Sequence, residues 1–193
     1  MSNNISDKSP SSIIPTIETE RLRLREWRIA DFDGFLALKM DAELQKYSLG
    51  GAKSKVQAWD DFCVISGQWM LRGVGIFLIA DRNTDEAIGF SGLWFPLDQE
   101  VPELCWSLFP GNMGKGYATE AAMAARQWVY ENRTYHQLVS YIHPDNIASC
   151  AVAERLGAEV KTRTILYGEN RLVYMHSEYL VKGDDIQIFT ITD

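Results

Sequence analysis

Residues 103–125 read Glu-Leu-Cys-Trp-Ser-Leu-Phe-Pro-Gly-Asn-Met-Gly-Lys-Gly-Tyr-Ala-Thr-Glu-Ala-Ala-Met-Ala-Ala, and their pattern decides the fold. The apolar run 104–109 has the length of a strand and is stopped by Pro110. Residues 117–130 are alanine-rich, free of Gly and Pro, and apolar at helical spacing. Between strand and helix lie Gly111, Gly114 and Gly116. Glycine accepts backbone angles that a Cβ forbids, so successive N–H groups can face one concavity at the start of the helix. Such a nest binds anions, phosphates above all.

Working outward towards the N-terminus, residues 21–27 alternate strictly. This puts Leu22 and Leu24 on one strand face, while the arginines Arg21, Arg23 and Arg25 read as a solvated one. A helix is expected from Ala30, with Phe32, Phe35, Leu36 and Met40 on its apolar side and Asp31 and Asp33 near its positive end. A second helix is expected from Ser54 as N-cap to Gly73, carrying Val56, Trp59, Phe62, Cys63, Ile65, Trp69 and Met70. Those aromatics read as core or as the wall of a substrate pocket. Two strand-like runs, 75–81 and 87–95, are joined by a polar turn, 82–86, and form a hairpin.

Beyond the central unit, residues 138–143 form a strand, 148–156 a helix closed by Gly157, and 158–164 and 172–181 two strands linked through 168–170. The order of elements predicts an α/β fold with a mixed sheet flanked by helices. The strands at 103–109 and 138–143 enclose a crossover helix, so they should be parallel, or splayed neighbours. Residues 1–15 read as a disordered leader, 16–183 as one domain and 184–193 as a tail that can pair as an edge or lie on a neighbour.

A chain of 193 residues, 46% apolar, can bury a substantial core as one domain. Its net charge of -7 argues against nucleic-acid and anionic-membrane surfaces, which need a basic patch, and favours a cationic partner. Cys63, Cys105 and Cys150 are odd in number and have no C-x-x-C spacing, so neither a disulfide framework nor a zinc site is indicated. Each reads as a buried small apolar residue. His136, His143 and His176 have no metal-ligand spacing, and no metal is expected. No stretch approaches the roughly 20 apolar residues of a membrane span, and the expectation is a cytoplasmic protein, monomer or homodimer.

The glycine spacing reverses that of the dinucleotide fingerprint, and no Gly-Lys-Ser/Thr ending supplies a magnesium-binding hydroxyl. A glycine connector that merely turns a strand into a helix stays open at this point. The second half adds Asn146-x-x-Ser149 at a helix entry, with Arg155-Leu156-Gly157 behind it. Together with residues 113–121 and the opening Thr19-Glu20-Arg21-Leu22-Arg23-Leu24-Arg25, these motifs resemble the GCN5-related N-acetyltransferase (GNAT) superfamily, in particular its ribosomal-protein alanine acetyltransferases, over about residues 16–181.

The resemblance implies the GNAT fold, a mixed and mostly antiparallel sheet with splayed central strands, and acetyl-CoA as cosubstrate. It implies that Asn112, Met113, Gly114, Lys115, Gly116, Tyr117, Ala118 and Thr119 line the pyrophosphate cradle. Ser107 and Leu108 would pair with the pantetheine arm like an added strand, and Asn146 would bond its amides, with Ser149 beside them. Asn146 reads alternatively as an ordinary cap and Ser149 as a first-turn residue.

The implied activity is transfer of acetyl from acetyl-CoA to a primary amine, a protein N-terminus or a small cationic molecule, by direct attack. Such a transfer needs a proton acceptor and a way to stabilise the departing thiolate. Glu103 matches a carboxylate of the resembled branch and is read equally as that acceptor, through water, or as a solvated strand-end carboxylate. Glu169 is a second candidate. Two positions depart from the family pattern: Ala153 stands where many members have tyrosine, leaving Ser149 as hydrogen-bond or proton donor to sulfur, and Gly111 stands where Gln or Arg is common. The loss of the tyrosine keeps alive an acyl-CoA-binding sensor or scaffold of the same fold, and a nucleotide-binding protein of another fold is a third reading. Cys105 has no neighbouring His or Lys in sequence to activate it and is rejected as a nucleophile. Trp106 and Met113 read as packing residues.

Overall fold

The structure is a computed structural model describing residues 14–133, 135, 137–176, 179–182 and 185–188. Short apolar runs bounded by turns give β1 (Ile17–Glu18), β2 (Leu22–Arg25), β3 (Ile76–Asp81), β4 (Ala87–Trp94) and β5 (Glu103–Leu108). A 3-10 turn (Ile29–Asp31) leads into α1 (Phe32–Met40), and α2 (Lys55–Arg72) follows. Then come α3 (Tyr117–Asn132), β6 (Leu138–Ile142), α4 (Ile147–Arg155), β7 (Glu159–Leu166) and β8 (Glu169–His176). A separate two-stranded ribbon, β9 (Tyr179–Lys182) with β10 (Asp185–Ile188), closes the described chain. Of the expected leader, residues 1–13 lie outside the described residues, as does His136.

Helix ends follow their sequence signals. Ser54 Oγ accepts from the Gln57 amide and Gln57 Oε1 accepts from the Ser54 amide, a reciprocal cap that starts α2, while Gly73 ends it at φ 64°. The long sheet has the order β1-β2-β3-β4-β5-β6-β8-β7, antiparallel except between β5 and β6. That parallel pair meets in register only at Glu103 and Val139, with the Val139 amide donating to the Pro102 carbonyl at 3.1 Å. Beyond this contact the two strands diverge, as expected for splayed neighbours around a crossover helix.

One sheet face packs Leu22, Leu24, Leu93, Leu104 and Leu138 against the alanines of α3. The other packs Ile76 and Leu78 against Phe35, Leu38, Ala58, Phe62 and Ile65 of α1 and α2. Gly34 lets α1 approach the end of β5, because a Cβ there would meet the Phe109 ring at 2.7 Å.

Three expectations are corrected. The arginine face of β2 is not uniformly solvated: Arg25 is 3% exposed and held by Asp31 at 2.9 Å and Asp85 at 3.1 Å. The 3-10 turn folds over that face and makes an ion pair the only way to bury it. Cys63 is exposed, and so are Val56, Met70 and Met40, because α1 and α2 bury only the stripe through Phe35, Phe62, Ile65 and Trp69. The last long strand begins at Glu169, since the turn sits at Tyr167 and Gly168, both at positive φ. No helix among the described residues is long and apolar enough to cross a membrane.

Candidate functional site

The glycine loop adopts the geometry its composition allows. Gly111, Gly114 and Gly116 sit at φ 84°, 77° and 83°, and a Cβ at Gly111 or Gly114 would project into open space. Gly116 is the N-cap of α3 and provides no side-chain cap. The Asn112 amide is used in a turn, donating to the Phe109 carbonyl at 3.2 Å. The amides of residues 113–119 have no protein acceptor among the described residues. A run of orphaned donors at the positive end of a helix favours a bound anion such as a phosphate.

A staple holds this loop that the sequence reading missed. Arg21 donates through Nε to Glu120 Oε2 at 2.8 Å and through Nη1 to the Lys115 carbonyl at 2.9 Å. Its guanidinium lies 4.8 Å from the centre of the Tyr117 ring. Thr19 Oγ1 and the Arg21 amide both donate to Glu120 Oε1, at 2.6 and 3.0 Å. Glu120 is in consequence held below its ordinary pKa by Thr19 and Arg21, despite partial burial. The signal was present in the Thr19-x-Arg21 opening and in an acidic residue one turn into α3.

Where β5 and β6 part, a cavity of about 290 Å³ opens, bringing together Glu103, Trp106, Tyr141, Asn146, Ser149 and Arg171. Alternate residues of β5 turn their backbone groups to opposite edges. The Cys105 carbonyl accepts from Ser91 Oγ on β4, and the Leu104 carbonyl accepts from Ser140 Oγ on β6. Trp106 and Leu108, in phase with Leu104, therefore present their backbone groups to the gap, and Ser107 presents its own to β4. Ser140 Oγ also lies 2.8 Å from His176 Nε2. Because the hydroxyl donates to Leu104, the imidazole donates to the hydroxyl. Burial holds His176 neutral, with its pKa pulled down to about 3, and its Nδ1 has no partner among the described residues.

Glu103 stands at the apex of the gap. Its Oε1 accepts from the Tyr141 amide at 3.4 Å. Burial pushes its pKa up to about 7, against the lowering pull of that amide and of the Arg171 charge. A carboxyl tuned to near neutrality at a cavity wall is suited to proton transfer. Burial and the charge of Glu103 push the Cys105 thiol far up, which keeps it protonated and unreactive.

Asn146 caps α4, its Oδ1 accepting from the Ser149 amide at 3.2 Å, and both side chains line the gap. Glu169 is not part of that cavity wall; it pairs with Arg171 at 2.7 Å. Ala153 is fully buried. The tyrosines that line the gap are Tyr47 and Tyr141. Tyr141 was legible from its alternation with Val139, whereas Tyr47 arrives on an irregular segment, where its ring stacks on His143 at 5.1 Å.

A second cavity of about 210 Å³ lies under α1 and α2, and shares Lys39, Glu103 and Cys105 with the first. Lys39 is paired with Asp61 at 3.0 Å at its rim.

Comparison with known proteins bears on the family and the fold. The family described as Acetyltransferase (GNAT) domain matches residues 21–159. The uncharacterized N-acetyltransferase YnaD of Bacillus subtilis (strain 168) is 26% identical over 141 residues, 73% of this chain and 81% of that protein. An acetyltransferase from Agrobacterium tumefaciens str. C58 superposes with a TM-score of 0.76 at 36% identity, covering 86% of this chain and 95% of its own. RimL, a ribosomal L7/L12 alpha-N-protein acetyltransferase solved in complex with coenzyme A, shares the fold with a TM-score of 0.70 at 19% identity, covering 84% of this chain and 98% of its own.

Proposed function

The chain belongs to the GNAT acetyltransferase family, and from that premise we propose that it moves an acetyl group from acetyl-CoA to a primary amine by direct attack, with no covalent enzyme intermediate. The observation that carries this reading is the course of the gap between β5 and β6. It starts at Glu103 and widens towards the glycine loop, where orphaned amides can take a pyrophosphate. In this reading the amides of Met113, Gly114, Lys115, Gly116, Tyr117, Ala118 and Thr119 hold the phosphates. The open edge of β5 at Trp106 and Leu108 takes the pantetheine arm, with Asn146 and Ser149 across the gap.

Bound acetyl-CoA supplies an acetyl group activated as a thioester. Glu103, ionised above about pH 7, accepts the proton from the acceptor ammonium, directly or through one water, and leaves a free lone pair on nitrogen. The amine nitrogen attacks the thioester carbonyl, and as the C–S bond breaks the second proton on nitrogen leaves through water for the departing thiolate, to whose sulfur Ser149 donates a hydrogen bond. Arg171 limits the cost of a second negative charge in the gap. The likeness to RimL supports a protein N-terminus as acceptor, and the net charge of -7 supports a cationic one of either size.

Titration calorimetry with acetyl-CoA, CoA and NAD tests the cofactor assignment: acetyl-CoA and CoA bind, and binding of NAD alone refutes it. Acceptor-stimulated thiol release over a panel of N-terminal peptides and small amines tests turnover. Tight acetyl-CoA binding without release for any amine would point to a sensor or scaffold of the same fold.

A further inference from the structure

We infer that the acceptor is a monoamine whose nitrogen is attached to an apolar or aromatic group, and that the cavity under α1 and α2 receives that group. This rests on the acetyl-transfer reading above. The acceptor nitrogen must reach Glu103, and the gap between β5 and β6 is filled by the pantetheine arm. The body of the acceptor must then occupy other space that opens on the same carboxylate. The second cavity is that space, since Glu103, Cys105 and Lys39 belong to both walls.

Its lining sets the chemistry. Phe35, Ile65 and Ile76 are buried, Phe90 and Trp94 are half-buried, and Val64 stands at the mouth, 55% exposed. The aromatic wall is fixed by edge and tilted contacts, with Phe35 5.6 Å from Trp27, 5.6 Å from Phe62 and 5.9 Å from Phe90. An apolar cavity of about 150 Å³ is enough for a benzene ring. The 210 Å³ here therefore admits a ring with one or two methylenes. A polyamine fits poorly. Its second ammonium would be desolvated against these walls, and the carboxylate at the rim, Asp61, is already paired with Lys39 at 3.0 Å.

The test measures kcat/KM at saturating acetyl-CoA for phenethylamine, ethylamine and spermidine, and for two short peptides beginning with Phe or Gly. The expected result is a preference of at least about tenfold for phenethylamine over ethylamine, or for the Phe over the Gly peptide. Which of the two pairs shows it tells whether the source is a small amine or a protein N-terminus. Val64→Trp, which narrows the mouth from an exposed position, should move that ratio towards one. Equal kcat/KM within both pairs, a preference for spermidine, or a loss in Val64→Trp that is the same for large and small amines would overturn the inference while acetyl transfer stood. Failure of the wild-type protein to bind acetyl-CoA would overturn acetyl transfer itself, and the inference with it.

Discussion

Replacing Glu103 with Gln should make the protein a poorer catalyst and a more stable fold, and the two effects share one cause. The carboxyl is moved from 4.5 to about 7 mainly by burial. Its ionised form therefore costs about 3 kcal/mol more in the folded protein than in the unfolded chain. The folded state binds the proton more tightly, so between pH 4.5 and 7 the unfolded chain carries fewer protons and stability falls as pH rises. Below that window the carboxyl is neutral in both states, and above it the full cost is present. Gln is neutral throughout and can still accept from the Tyr141 amide. The difference in unfolding free energy between variant and wild type should then be near zero at pH 4. It should grow to about 3 kcal/mol in favour of the variant at pH 8, a Tm gain of roughly 6–12 °C.

Activity should move the other way. Loss of a general base lowers kcat by about 10²–10⁴. The wild-type rate should fall about tenfold per pH unit below 7, and the variant should lose that dependence. Thermal unfolding at a series of pH values, with thiol-release kinetics over the same range, reads both. A stability difference that does not change with pH refutes the burial argument, and an undiminished rate removes Glu103 from the chemistry.

Arg21→Ala removes the bonds to Glu120 and the Lys115 carbonyl, and should weaken acetyl-CoA binding by about 1 kcal/mol, roughly fivefold in Kd by calorimetry, with little change in kcat. Asp31→Ala strips the nearly buried Arg25 of its bidentate partner and leaves it Asp85 as counter-charge and the Glu26 carbonyl as acceptor. A loss of about 3 kcal/mol in urea unfolding is expected, and a loss below about 1 kcal/mol would show that Asp85 suffices. Gly114→Ala places a methyl in open space at φ 77°, so its stability cost is backbone strain alone, about 1–2 kcal/mol. Calorimetry should show acetyl-CoA binding weakened beyond what that strain explains.

The strand, glycine loop and crossover helix at 103–132 were legible because each carries its own local signal: a Pro stop, glycines that require positive φ, and an alanine-rich period. The splay of β5 from β6 was legible as topology, since a crossover helix of this length places two parallel strands side by side. The burial of Arg25 was not. It depends on Asp31 and Asp85, 6 and 60 residues away in the chain, arriving over one face of β2, and alternation says which side a residue takes, never what later covers that side. Cys63 failed for the opposite reason. Helical periodicity marked a wide apolar stripe on α2, but the sheet covers only the part through Phe62, Ile65 and Trp69.

The division of labour within β5 follows from pleating alone. Odd residues send Glu103 and Cys105 towards the cavities beneath α1 and α2, while even residues send Leu104 into the core against α3 and their backbone groups towards the gap. One strand can thus serve a cofactor along its edge and an acceptor through its side chains without either competing for the same atoms. A register slip of one residue would exchange the two sets and bury Glu103 among the alanines of α3. Register is fixed by the six-residue ladder from Gly89 and Leu108 to Trp94 and Glu103, and at the apex by Ser140, whose hydroxyl ties Leu104 across to β6 where backbone pairing has stopped. Ser140 and His176 are therefore positioning residues. Their loss should first widen the gap beside Glu103, which a weaker acetyl-CoA affinity by calorimetry, with the preference among acceptor amines unchanged, would reveal.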